Sequence, residues 1–67
     1  MSKEWEYLAF AIEEYRKARN LTGEQVYRIF DKYNFFDYII ELYELFHIES
    51  ERNLFRALDE YQARQTS

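Results

Sequence analysis

The chain has 67 residues, no cysteine, no proline and one glycine, and its nine basic and thirteen acidic residues leave a formal net charge of −4. That length makes a single domain over residues 1–67, near the lower limit for a chain that folds alone, and without cysteines neither disulfides nor the common zinc frameworks can staple it. The acidic balance and scattered bases disfavour nucleic acid, since neutralised phosphates supply most non-specific affinity, while an apolar share of 48% is too high for a disordered segment.

The first element is expected from Lys3 to Arg19, with Ser2 as its N-cap. Trp5, Leu8, Ala9, Ile12 and Tyr15 recur at helical spacing and define its inward stripe. Glu13 and Lys17 are placed for an i,i+4 ion pair. Asn20, which tolerates the left-handed conformation, closes the helix. The starting residues Met1 to Glu6 lack the basic-then-apolar layout of a secretory signal. The longest apolar runs, such as Leu8 to Ile12, are too short to cross a bilayer. A cytoplasmic protein with no membrane partner is expected.

Leu21-Thr22-Gly23-Glu24-Gln25 is the clearest helix start. Thr22 and Gln25 have the spacing of a capping box, and Leu21 and Val26 that of a hydrophobic staple. The second helix runs to about Tyr33 on a stripe of Val26, Ile29, Phe30 and Tyr33, and Asn34 ends it. A third helix, Phe35 to Phe46, is polar only at Asp37, Glu41 and Glu44, which fall on one narrow wedge. A helix apolar over most of its circumference is buried on several sides, so this segment is expected at the centre with its acidic wedge solvated. Ser50 is the N-cap of a fourth helix, from Glu51 to about Arg64, with Leu54, Leu58 and Tyr61 inward and the last residues frayed.

The expected fold is therefore all-α: a bundle of three to four short helices, as a monomer or a symmetric dimer. No cofactor or metal is expected. Glu44 and His47 form one Glu-x-x-His pair, where carboxylate-bridged metal centres need two plus further glutamates. His47 reads instead as a helix-terminal residue whose ring meets the last carbonyls.

Fourteen aromatic residues, one in five, are the most distinctive feature. Trp5, Phe30, Tyr33, Phe36, Tyr43 and Tyr61 lie on the inward stripes and read as core. Phe10 falls among Glu6, Glu13, Glu14 and Lys17 on the polar face, while Tyr27, Tyr38, Leu45 and Phe55 lie beside their stripes. Phe10, Tyr27, Tyr38, Leu45 and Phe55 are the candidate partner-binding residues, because exposed rings grouped together mark interfaces.

Leu21-Thr22-Gly23-Glu24-Gln25-Val26-Tyr27 with Phe30, Tyr33, Asp37-Tyr38-Ile39, Tyr43 and His47, preceded by Phe10-Ala11-Ile12-Glu13-Glu14-Tyr15, resembles a family of about 70-residue bacterial proteins known as a domain of unknown function. The resemblance covers about residues 8 to 47. Past His47 the family commonly continues with a glycine-containing turn and an acidic-isoleucine segment, whereas this chain has Ile48-Glu49-Ser50-Glu51-Arg52. Family genes often stand beside genes for ADP-ribosyltransferase-like toxins, which implies an antitoxin-like or accessory role and transfers no catalytic residue. The expected function is a non-enzymatic protein–protein interaction module that binds a neighbouring gene product or itself. The alternative is a small helix-turn-helix regulator, against which Asp37, Glu41 and Glu44 on the would-be recognition helix count.

Overall fold

Ser2 sets the first helix by accepting a hydrogen bond from the Trp5 amide on its side-chain Oγ at 3.2 Å. In this computed structural model, which describes residues 2–66 (of Thr66 the backbone only), five helices follow, and no strand occurs among the described residues. They are α1 Lys3–Arg19, α2 Gly23–Lys32, α3 Phe35–Glu41, α4 Tyr43–Phe46 and α5 Glu51–Thr66. The expected all-α bundle is what the chain forms.

Helix α1 carries Glu4 and Glu6 in its first turn and Arg16, Lys17 and Arg19 in its last, the order that its dipole favours. Asn20 ends it at φ 54°, ψ 50°, in the left-handed region. Its buried line is Leu8, Ala11 and Tyr15. Trp5 and Ala9, assigned from sequence to the inward stripe, are exposed. Leu8 and Tyr15 stay inward while Ala11 takes the place of Trp5 and Ala9, a roll of about 60° at 100° per residue. Tyr15 packs against the rings of Phe30, Phe35 and Phe55 at 5.3, 6.5 and 5.8 Å. The expected Glu13–Lys17 pair is replaced by two i,i+3 pairs. Arg16 clamps Glu13 through Nη2 at 2.6 Å and Nε at 3.1 Å, and Lys17 takes Glu14 at 2.8 Å.

Helix α2 begins with the expected capping box: Thr22 Oγ1 accepts from the Gln25 amide at 3.1 Å, and the Thr22 amide donates to Gln25 Oε1 at 2.8 Å. Such a cap contributes about 1 kcal/mol. Val26 and Phe30 are buried. The chain then turns through Asn34, again left-handed at φ 58°.

The third segment is not one helix. Leu42, at φ −103° and ψ 18°, separates α3 from the single turn of α4. Apolar residues on nearly every side of this segment cannot all be covered along one straight axis. The bend divides them: Phe35 and Ile39 are fully buried from α3, and Phe46 is buried from α4 with its ring 5.7 Å from Tyr38. The acidic residues Asp37, Glu41 and Glu44 are exposed, as the wedge reading required.

Helix α5 starts where the Ser50 carbonyl accepts from the Asn53 and Leu54 amides at 3.0 and 3.2 Å. It runs to Thr66, two residues beyond the expected end. Gln65, expected to fray, donates from Nε2 to the Tyr33 carbonyl at 2.8 Å and fastens the helix to the end of α2. Ser67 lies outside the described residues. Across the bundle, Arg19 places Nη2 between the carboxylate oxygens of Asp59 at 3.1 and 3.3 Å.

All five helices feed one core: Leu8, Ala11 and Tyr15, Val26 and Phe30, Phe35 and Ile39, Phe46, Leu54 and Leu58. At its centre Phe30 meets Phe35 edge-on at 5.3 Å, the geometry that ring quadrupoles favour. Among the described residues no buried side-chain polar atom lacks a partner. Tyr33, Phe36, Tyr43 and Tyr61, expected as core, form a half-buried rim around it.

Candidate functional site

Three of the five off-stripe candidates are exposed: Phe10 at 43%, Tyr27 at 62% and Leu45 at 57%. Tyr27 leans on Phe36, the rings 5.4 Å apart. The other two are half-buried and packed against the core. Tyr38 stacks on Tyr61, and Phe55 meets Tyr15 edge-on. Both lie beside their stripes as the spacing indicates, but neighbouring helices cover those sides. Two exposed apolar residues escaped the sequence reading, Trp5 at 58% and Ile48 at 74%. Trp5 was hidden by the wrong roll of α1. Ile48 carries no periodic signal, since it follows α4 in a connecting loop.

Phe10 stands at the edge of a groove of about 850 Å³ between α1 and the start of α5. Tyr7 and Phe10 line it from α1, His47, Glu49 and Ser50 from the connection, and Glu51, Arg52, Asn53 and Arg56 from α5. The volume falls in the range of ligand clefts.

The rings that line the groove, Tyr7, Phe10 and His47, are linked through Tyr43, which lies behind the lining. Tyr7 lies 5.9 Å from Phe10 and 5.6 Å from Tyr43, edge-on to the latter. Tyr43 in turn stacks on His47, 4.6 Å away and 15° from parallel. His47 Nδ1 lies 2.9 Å from the Tyr43 carbonyl and must carry a proton to donate to it, which leaves Nε2 as the open nitrogen. This is the helix-terminal contact expected for the residue. The Tyr7 hydroxyl donates to the Phe46 carbonyl at 3.3 Å and ties α1 to α4.

The groove lining carries both signs of charge, Glu49 and Glu51 with Arg52 and Arg56. The Tyr7 phenol is pushed above its ordinary range first by burial and then by the carboxylates of Glu49 and Glu51. Glu51 is itself held above the usual carboxylate range, by desolvation first and then by Glu14 across the seam. Glu14 is lowered, chiefly by its hydrogen bond from Lys17. Arg52 and Arg56 stand one turn apart on α5 and make no ion pair among the described residues.

Among the described residues no three histidine, aspartate or glutamate side chains come together as metal ligands would, and no helix is long and apolar enough to cross a membrane. Residues 6–64 match the model of a family described as a protein of unknown function, DUF3791. The chain belongs to this family. The match reaches beyond the stretch on which the resemblance was read and takes in Ile48 to Arg52 and nearly all of α5. The groove, with residues from Tyr7 to Arg56, thus lies wholly inside the family region. Neither the curated proteins nor the solved structures give a match to the chain.

Proposed function

We propose that this protein is a non-enzymatic protein–protein interaction module, an antitoxin-like or regulatory partner for the product of a neighbouring gene in the bacterial cytoplasm. The observation that carries the reading is Phe10, a large ring left exposed on the lining of a groove. Leu45 and Tyr27 add apolar surface elsewhere, and Trp5 and Ile48 extend it. Rings of this kind anchor interfaces, while a net charge of −4 speeds encounter with a basic partner. A second copy of the chain is the simplest other occupant of the same rings. The DNA-binding alternative draws no support from α3, whose exposed residues include Asp37 and Glu41.

The test is co-expression with the protein encoded beside it, followed by size-exclusion chromatography with light scattering, for the wild type and for Phe10→Ala. A complex that forms with the wild type and is lost with the variant, while the variant still folds, supports the module. Absence of any complex, hetero or homo, at micromolar concentration removes it.

A further inference from the structure

We propose that the outward face of α4, carrying Leu45 and Ile48 together with the carboxylates of Glu41 and Glu44, is where the partner is held. Its occupant is a basic amphipathic segment of that partner, an apolar side chain flanked by Lys or Arg. The inference rests on the interaction reading above and adds to it a place and a chemistry.

Phe46 sets the direction of this turn, since its side chain is the one that enters the core. The helical path carries on past α4: the His47 amide donates to the Tyr43 carbonyl at 2.9 Å, and His47 itself sits at φ −67°, ψ −17°. At 100° per residue, Glu44 and Ile48 come out opposite Phe46, with Leu45 beside them. All three are exposed, and so is Glu41, the last residue of α3. Single exposed apolar residues are ordinary. Two large ones on one turn, opposite its only buried residue, make a face.

The charge on this face has one sign. From 33 to 51 the chain carries five carboxylates, Asp37, Glu41, Glu44, Glu49 and Glu51, and no lysine or arginine. The carboxylates that hold a cation, Glu13, Glu14, Glu24 and Asp59, lie outside this stretch. The nearest bases in sequence are engaged elsewhere: Lys32 stands over the Tyr33 ring at 5.3 Å, and Arg52 is on the groove lining. A second copy meeting this face through a two-fold axis would set the same carboxylates against one another. A basic segment gains by pairing with them while its apolar side chain covers Leu45 and Ile48.

The test is a titration of the ¹⁵N-labelled full chain with a Leu/Lys peptide whose leucines repeat at helical spacing. Its Leu/Glu counterpart and a Ser/Lys peptide of equal length and charge serve as controls. The Leu/Lys peptide is expected to shift the amides of Leu45 and Ile48, and both controls to bind more weakly. Leu45→Ser combined with Ile48→Ser lowers its affinity by about tenfold or more. Glu41→Gln combined with Glu44→Gln lowers it by about three- to fivefold. Asp31→Asn with Glu60→Gln, which removes the same charge from α2 and α5, changes it by less than about twofold. An equal response to the Leu/Glu peptide, an equal loss from the Asp31–Glu60 variant, or shifts that miss Leu45 and Ile48 overturn the inference. A complex with the neighbouring gene product that depends on Phe10 but survives Leu45→Ser with Ile48→Ser also overturns it, and leaves the interaction module standing. Absence of any complex fails the module itself and takes this inference with it.

Discussion

The rings of Tyr38 and Tyr61 lie face to face, 3.9 Å between centroids and 9° from parallel, and so join α3 to α5. Arg64 adds its guanidinium carbon 5.9 Å from the Tyr61 ring centre. Tyr38→Ala and Tyr61→Ala should each cost about 1–3 kcal/mol in urea unfolding. Combined in a double-mutant cycle they should show a coupling of about 0.5–1.5 kcal/mol, the excess that a ring pair contributes beyond its area. Strict additivity would mean that the stack holds nothing together.

Phe30 and Phe10 make a matched pair of opposite environments. Phe30 is fully buried, and Phe30→Ala is expected to remove about 3–5 kcal/mol, a large share of the stability of a small domain. Phe10→Ala should cost less than about 1 kcal/mol in the same assay. Comparable losses at the two positions would show that Phe10 belongs to the core and would remove it as an anchor.

Asn34 turns the chain from α2 into α3 at φ 58°, and its side chain makes no capping hydrogen bond. Its value is therefore conformational. Asn34→Ala should lose about 1–2 kcal/mol, because a β-carbon crowds the carbonyl in the left-handed region, whereas Asn34→Gly should be neutral within about 0.5 kcal/mol. Thermal unfolding of the two variants checks this, and equal melting temperatures would contradict it.

Opposite pH signatures are expected from two exposed carboxylates. The hydrogen bond from Arg16 holds Glu13 below the usual carboxylate range. Its contribution is present above the unfolded value and disappears as pH falls through the folded one. Glu51 is raised, so its favourable contribution belongs to the protonated form and disappears as pH climbs through its elevated value. Glu13→Gln should thus lower stability near pH 7 and change nothing near pH 2. Glu51→Gln should hold or raise stability near pH 7, and salt should shrink both effects. Melting curves from pH 2 to 7 read both signs, and a destabilising Glu51→Gln at neutral pH would reverse the assignment.

What could be read from residues alone follows the range of the forces involved. Ser2, Thr22–Gln25 and Asn20 act within one turn of their own positions, so the starts and stops of α1 and α2 were legible in chain order. The roll of α1 was not, because whether Ala11 rather than Ala9 and Trp5 turns inward is decided by the helices α2, α3 and α5 packed against it. The break at Leu42 was also invisible: no glycine or proline marks it, and only the competition among apolar neighbours for cover produces it. At the groove, Phe10 stood out by its polar company on the helix wheel. Tyr7, Glu49 and Glu51 did not, since they meet only when the start of α5 is laid beside α1.

The single turn of α4 hangs between Leu42 and the connection to α5, held by Phe46 in the core and by the Tyr7 hydroxyl on its carbonyl. The turn is only four residues long, and of these only Phe46 is buried, with Glu44 and Leu45 exposed. Local opening should therefore begin at this turn, and its amide protons should exchange with solvent well before those of Phe30 or Ile39. One wall of the groove, carrying His47 and Glu49, would then be able to yield to an incoming partner while the rest of the bundle keeps its shape.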